Sequence, residues 1–157
     1  MLGRLGLYCS YCERRIKTNL AVEHIQPKGV PATAYLETEW TNFLLACVNC
    51  NSTKGHKPAN PADILLPDRD NTFLAYEYTI DGLVQVQSGI TGPTATKAEA
   101  LLTLTGLNKD GYECLDENGK QIVVDRVSGR IESMAMALEQ AQEIANDPTN
   151  EALKKRL

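Results

Sequence analysis

The spacing of apolar and polar residues changes character several times along the chain, and Gly or Pro marks most of the changes. Residues 20–25 (Leu-Ala-Val-Glu-His-Ile) are apolar and β-branched and are stopped by Pro27, so they predict a short strand. Pro27, Gly29 and Pro31 predict a loop, and residues 32–40 a short helix or turn. A helix is expected to start at Asn51 and to be short, because Gly55 and Pro58 follow. Residues 60–71 read as a linker or ordered loop. Residues 73–80 are rich in β formers and end at Asp81-Gly82, with residues 83–87 beyond, which predicts a hairpin about a two-residue Asp-Gly turn. Thr96 and Glu99 have capping-box spacing and open a predicted helix through Leu101, Leu102 and Leu104 that Gly106 ends. Another short strand is expected around Ile122-Val123-Val124-Asp125, near an Asn118-Gly119 turn. Ile131, Met134, Ala135, Leu138, Ala141 and Ala145 then share one helical face, ended by Pro148, with Met134 and Met136 assigned to core packing.

Mixed strands and helices predict an α+β fold. A chain of 157 residues is one domain, or a small domain with an appendage. The expected division is a core over 1–60 and an extension over 61–157, which carries the hairpin and later helices, completes the core and docks a partner. Hydrophobic residues are 43% and charged residues 23%, a balance that excludes a disordered chain. No apolar run approaches the roughly 20 residues that span a bilayer, so no membrane segment is expected. The first residues, Met-Leu-Gly-Arg-Leu-Gly-Leu, lack the long apolar stretch of a signal peptide, which points to the cytoplasm. The sequence starts only eight residues before Cys9, which leaves room for upstream residues outside it.

The net charge of −4 and a pI near 5.2 argue against tight, nonspecific nucleic-acid binding, which uses a basic footprint. The charge is uneven, however. Arg4, Arg14, Arg15, Lys17, Lys28, Lys54 and Lys57 lie early, and many acids lie later, so a local basic face remains compatible with the composition.

The five cysteines change the picture more than the charge does. Cys9 and Cys12 form one C-x2-C pair, and Cys47 and Cys50 a second. In a chain without a signal peptide this spacing favours zinc in a reducing compartment over a disulfide framework. Four thiolates close the tetrahedron and leave no place for water, so the zinc is expected to be structural. Its binding supplies folding free energy that about 60 residues of core would lack. Cys114 is the odd cysteine and reads as a partly buried thiol.

Between and beside the pairs lie residues with hydrolytic chemistry. His24, at a predicted strand end, carries an imidazole, a side chain that can take a proton from water. Glu23 offers hard oxygen ligands suited to Mg²⁺ or Mn²⁺, and Asn51 a neutral carbonyl oxygen from across the site. Asn42 can hold the imidazole of His24, directly or through the loop backbone. Lys28 and Lys54 can contact phosphates, and His56 is either a phosphate contact or exposed. Each residue taken singly is weak, since histidines are usually packed or solvated and asparagines often cap helices. Their order with the paired cysteines carries the signal.

That order, Cys-x2-Cys, Glu-His-x2-Pro-Lys, then Trp-x-Asn-Phe-Leu-Leu-x-Cys-x2-Cys-Asn-x2-Lys-Gly, resembles the HNH endonuclease family over about residues 7–57. The resemblance implies a ββα-metal core, stapled here by a four-cysteine zinc site, around one catalytic divalent ion. It implies that His24 is the general base, that Asn42 positions it, and that Asn51 ligates the catalytic ion. Glu23 stands where the family usually has Asp, so the ion is expected to sit differently or to bind through water. His56 is an alternative to Asn51 as the third motif residue, and Asn51 is preferred because it follows Cys50 directly. The Trp40–Cys47 segment and residues 66–72 also resemble small HNH proteins of bacterial defence islands, including those of Septu-type systems, whose usual companion is an ATPase. DNA is then the expected substrate, with an ATPase subunit as partner and a homo-dimer if both strands are cut. The alternative reading is a catalytically inactive zinc-stabilised module that binds nucleic acid or protein, or an interaction subunit stapled by its zinc.

Overall fold

The computed structural model describes residues 6–16, 20–109, 112–115, 121–124 and 126–154, and its fold is α+β. It divides into two compact units, residues 1–77 with 84–108, and residues 78–83 with 109–157. The boundary expected at residue 60 does not coincide with this division. Residues 61–77 and 84–108 join the motif segment because Leu66, Ala75, Val84 and Leu101 complete its core, each at most 2% exposed.

In the first unit, β1 (Leu20–His24) and β2 (Phe43–Cys47) pair antiparallel, from Leu20 opposite Cys47 to His24 opposite Phe43. The predicted strand is therefore present. The expected short helix or turn between the two strands is a pair of 3₁₀ turns, Pro31–Leu36 and Trp40–Asn42. Helix α1 (Val48–Lys54) follows β2 with no intervening loop. It starts three residues before Asn51, because Cys47, in extended conformation, is its N-cap and the second cysteine pair is built into its first turn. The first cysteine pair sits in a tight turn closed by Cys9 N–H to Arg14 O at 3.0 Å and by a left-handed Glu13. Ser10 N–H donates to Leu45 O at 2.8 Å and ties that turn to β2.

Residues 60–71 form an ordered loop. Leu66 N–H donates to Asp70 Oδ2 at 2.6 Å, and Arg69 Nη2 to Thr41 O at 3.0 Å. Residues 73–75, expected in a strand, instead fall in the helical turn α2 (Thr72–Ala75), because Asn71 Oδ1 accepts from Leu74 N–H at 3.2 Å and caps it. Only Tyr76–Tyr78 (β3) and Val84–Val86 (β4) are strands. Their connection, residues 79–83, is longer than the expected two-residue turn. A two-residue type I′ turn needs positive φ at both centres, and here only Gly82 has it, at 74°. Helix α3 (Gly92–Thr105) starts four residues before the expected Thr96 cap, with Thr91 as N-cap and Pro93 in the first turn. It ends as expected at a left-handed Gly106. Leu101, Leu102 and Leu104 are buried, and α3 packs on α1. Burial of each such leucine stabilises the unit by about 1.5–3 kcal/mol.

In the second unit, β5 (Tyr112–Leu115) pairs antiparallel with β6 (Gln121–Val124), so the expected strand near Ile122 is present. The Asn118-Gly119 turn and Asp125 lie outside the described residues. Helix α4 (Arg126–Asn146) is followed by the short α5 (Glu151–Lys154). Only Arg126 and Val127 of α4 are buried. The predicted core face is thus corrected: Leu138 is 55% exposed and Met136 60%, so Met136 does not serve core packing. Gly82 of the 79–83 connection lies against Val127 and Ile131, near the N-terminal end of α4. Among the described residues no helix is long and apolar enough to cross a membrane.

Candidate functional site

Cys9, Cys12, Cys47 and Cys50 converge with their Sγ atoms all within 4.8 Å of one another. The Cys12–Cys47 separation of 3.9 Å is far beyond a disulfide bond and close to the edge of a tetrahedron of thiolates about 2.3 Å from a zinc ion. Crowding splits the acidities. Hydrogen bonding from Cys12 lowers Cys9 to about 6 and Cys47 still further, whereas hydrogen bonding to Cys47 and Cys12 raises Cys12 and Cys50, respectively. Four adjacent sulfurs cannot all ionise without a cation among them, so this donor set fits a structural zinc. Among the described residues no other group of three or more Cys, His, Asp or Glu ligand atoms is clustered.

An open cleft of about 580 Å³ is lined by Glu23, His24, Lys28, Asn51, Lys54 and His56, among others. His24 is the last residue of β1 and half-buried. Its Nε2 lies 3.0 Å from the carbonyl oxygen of Glu37, and the edge of its ring meets Phe43 at 5.0 Å between centroids. A carbonyl only accepts, so this contact places the proton on Nε2 and leaves the Nδ1 lone pair free. Asn42 makes its side-chain hydrogen bonds to the loop backbone and not to the imidazole. Its Oδ1 accepts from Gln26 N–H at 2.8 Å, and its Nδ2 donates to Gln26 O at 3.0 Å and Leu36 O at 3.3 Å. It therefore pins both ends of the loop that carries Glu37. Asn51 is the fourth residue of α1 rather than its start, and it is half-buried against the cleft.

Lys54 and Glu23 are placed differently from the sequence expectation. Lys54 is 1% exposed, its Nζ lies 2.6 Å from Glu23 Oε1, and it donates to His24 O at 2.8 Å. It is a buried counter-ion to Glu23, where the sequence predicts an exposed phosphate contact. The Glu23 carboxylate and the His24 carbonyl together make that burial tolerable. Glu23 is 3% exposed. Burial raises its pKa, and Lys54 opposes that rise without cancelling it. Its Oε1 has no aligned hydrogen bond despite the short approach of Lys54. A carboxylate, an amide and two imidazoles in one cleft fit a hard divalent ion in donor chemistry, although Lys54 already occupies Glu23 Oε1. Tyr11, between the first two cysteines, is also buried, and its hydroxyl pKa is raised by burial and then by the nearby Glu23 charge.

His56 is exposed and stands over Gly29, where a side-chain Cβ would come within 2.7 Å of its ring. Lys28 is exposed and pairs with Glu37 Oε1 at 2.8 Å. Sequence reading missed Glu37 and Tyr11. Glu37 meets His24 through a backbone carbonyl, a group every residue has, so no side-chain pattern announces it.

The sequence model of the family described as HNH endonuclease matches residues 9–57. The match runs from the first cysteine through β1, β2 and α1, and so includes every residue of the zinc cluster and the cleft. No curated protein gives a significant match. Residues 9–57 are thus similar to HNH endonucleases and carry a four-cysteine cluster, a likeness that suggests a nuclease.

Proposed function

We propose that the protein is a metal-dependent DNA endonuclease that hydrolyses phosphodiester bonds in the cleft between β1 and α1. One observation carries this reading: the His24 ring is fixed by the Glu37 carbonyl at Nε2 and lines the same cleft as Glu23 and Asn51. His24 Nδ1 takes a proton from water as the water oxygen attacks phosphorus, and the bond to the leaving sugar oxygen breaks. Asn42 is a positioning residue that holds the loop bearing Glu37. A Mg²⁺ or Mn²⁺ ion held by Glu23 and Asn51 would supply charge neutralisation on the phosphate and the leaving oxygen. Lys28 and His56, both exposed at the cleft, contact flanking phosphates. The four-cysteine zinc holds the two sides of the cleft together.

Similarity of the Trp40–Cys47 segment and residues 66–72 to small HNH proteins of bacterial defence supports a role in anti-phage defence in the cytoplasm, beside an ATPase subunit. An acidic nuclease with few free cations at its cleft gains DNA affinity from such a companion, or from pairing as a homo-dimer. The commitment of Glu23 to Lys54 favours a second reading, a zinc-stabilised nucleic-acid-binding module without chemistry. Incubating zinc-loaded protein with plasmid DNA, with Mg²⁺ or Mn²⁺ and with neither, separates the two. Metal-dependent nicking supports the nuclease, whereas DNA binding without nicking, with and without an ATPase companion, supports the module.

A further inference from the structure

Two lysines line the cleft, and they are in opposite circumstances. Lys54 is sealed and held by Glu23, so it is not available to a ligand. Lys28 is exposed, and its ammonium is held only by Glu37 at 2.8 Å, a pair open to water on both sides. Glu37 therefore serves two groups at once. Its carbonyl oxygen fixes the Nε2 of His24, and its carboxylate is held by a cation on the far side of the same loop. Lys28 lies four residues after His24, so the pair closes a ring of contacts: His24 to Glu37 by the backbone, and Glu37 to Lys28 by the side chain. Asn42 fixes Gln26 and Leu36 on either side of this ring, but it reaches neither Glu37 nor Lys28 by any of these hydrogen bonds.

On the reading of the cleft as a nuclease site, we propose that the Lys28–Glu37 pair is a positioning brace for His24, and that a substrate phosphate entering the cleft competes with Glu37 for Lys28. A phosphodiester is a better partner than an exposed carboxylate for an ammonium that faces the cleft, because the incoming strand also displaces water from around it. Glu37 is then a positioning residue, and Lys28 links the arrival of the phosphate to the setting of the base.

The chain has two histidines, so ¹⁵N spectra of its imidazoles contain two spin systems, and His56→Gln assigns them. The readout needs no catalysis. In the zinc-loaded protein, His24 is expected to show a protonated Nε2. Lys28→Met and Glu37→Gln are both expected to move its resonances toward the tautomer-averaged position. Titration with the dinucleotide thymidylyl-thymidine is expected to move them in wild type and not in Lys28→Met. His24 resonances unchanged in both variants would overturn the brace, and a dinucleotide response that persists in Lys28→Met would overturn the competition. In a cleavage assay, Glu37→Gln removes the competitor for Lys28 and lowers KM about two- to fivefold, the range an exposed ion pair supports. Loss of nicking with these spectral changes intact would instead count against the nuclease reading alone.

Discussion

Lys54 Nζ lies 2.6 Å from Glu23 Oε1, with both side chains almost sealed from solvent, so α1 meets the end of β1 through a buried ion pair. The same ammonium reaches the backbone oxygen of His24. The helix that begins in the second cysteine pair thus fixes the strand residue that carries the candidate base. Removing one partner of such a pair leaves the other charge buried and alone.

Lys54→Met is therefore expected to destabilise the protein by about 3–5 kcal/mol, measured by urea unfolding of the zinc-loaded form. The double variant Glu23→Leu, Lys54→Met should recover most of that loss, because replacing a buried pair by apolar residues is often neutral. A double variant as unstable as Lys54→Met alone would show that the pair holds more than its own charges.

Asn42→Ala removes three hydrogen bonds to the loop backbone and leaves Gln26 N–H and two carbonyls in search of partners. The expected loss is about 1–3 kcal/mol of stability with zinc content unchanged, checked by unfolding and by metal analysis. Plasmid nicking should fall by more than stability alone accounts for at a temperature where the variant remains folded, since the Glu37 carbonyl loses its anchor. Nicking equal to wild type would remove Asn42 from the positioning role.

The cysteine cluster should govern folding. Cys50→Ser, or stripping the metal with a strong chelator, is expected to abolish cooperative unfolding of the first unit, since the binding free energy of structural zinc is on the order of 10–16 kcal/mol in small zinc domains. Near-ultraviolet circular dichroism, followed as zinc is added back, checks this. A native spectrum in zinc-free protein would contradict it.

Gly29 and His56 form a testable contact across the mouth of the cleft. Gly29→Ala pushes its methyl into an exposed ring that can swing away, so stability should change by less than about 1 kcal/mol. DNA affinity should fall in both Gly29→Ala and His56→Ala, and the double variant should be no weaker than His56→Ala, as read by fluorescence anisotropy. Additive losses would mean that Gly29 acts independently of His56.

The four-cysteine cluster and β1 were legible in the sequence. Ligand spacing and a β-branched run are local signals, and they survive folding unchanged. What was not legible depends on partners far along the chain. Lys54 reads as a surface cation until Glu23, 31 positions earlier, is found buried beside it. Residues 73–75 have strand propensity, but Asn71 caps them into a helical turn. The apolar periodicity of α4 is real in the sequence, yet among the described residues it faces no matching layer, so Leu138 and Met136 stay exposed. Periodicity marks a face that can be buried and does not say what covers it.

The central claim rests on His24 as a base, and comparing wild type with His24→Ala tests it most directly. Both proteins, shown to carry equal zinc and to unfold alike, are incubated with supercoiled plasmid in Mg²⁺ or Mn²⁺. A drop of about 10²–10⁴-fold in the nicking rate of His24→Ala is the predicted result. Metal-dependent nicking at the same rate in both proteins would contradict it.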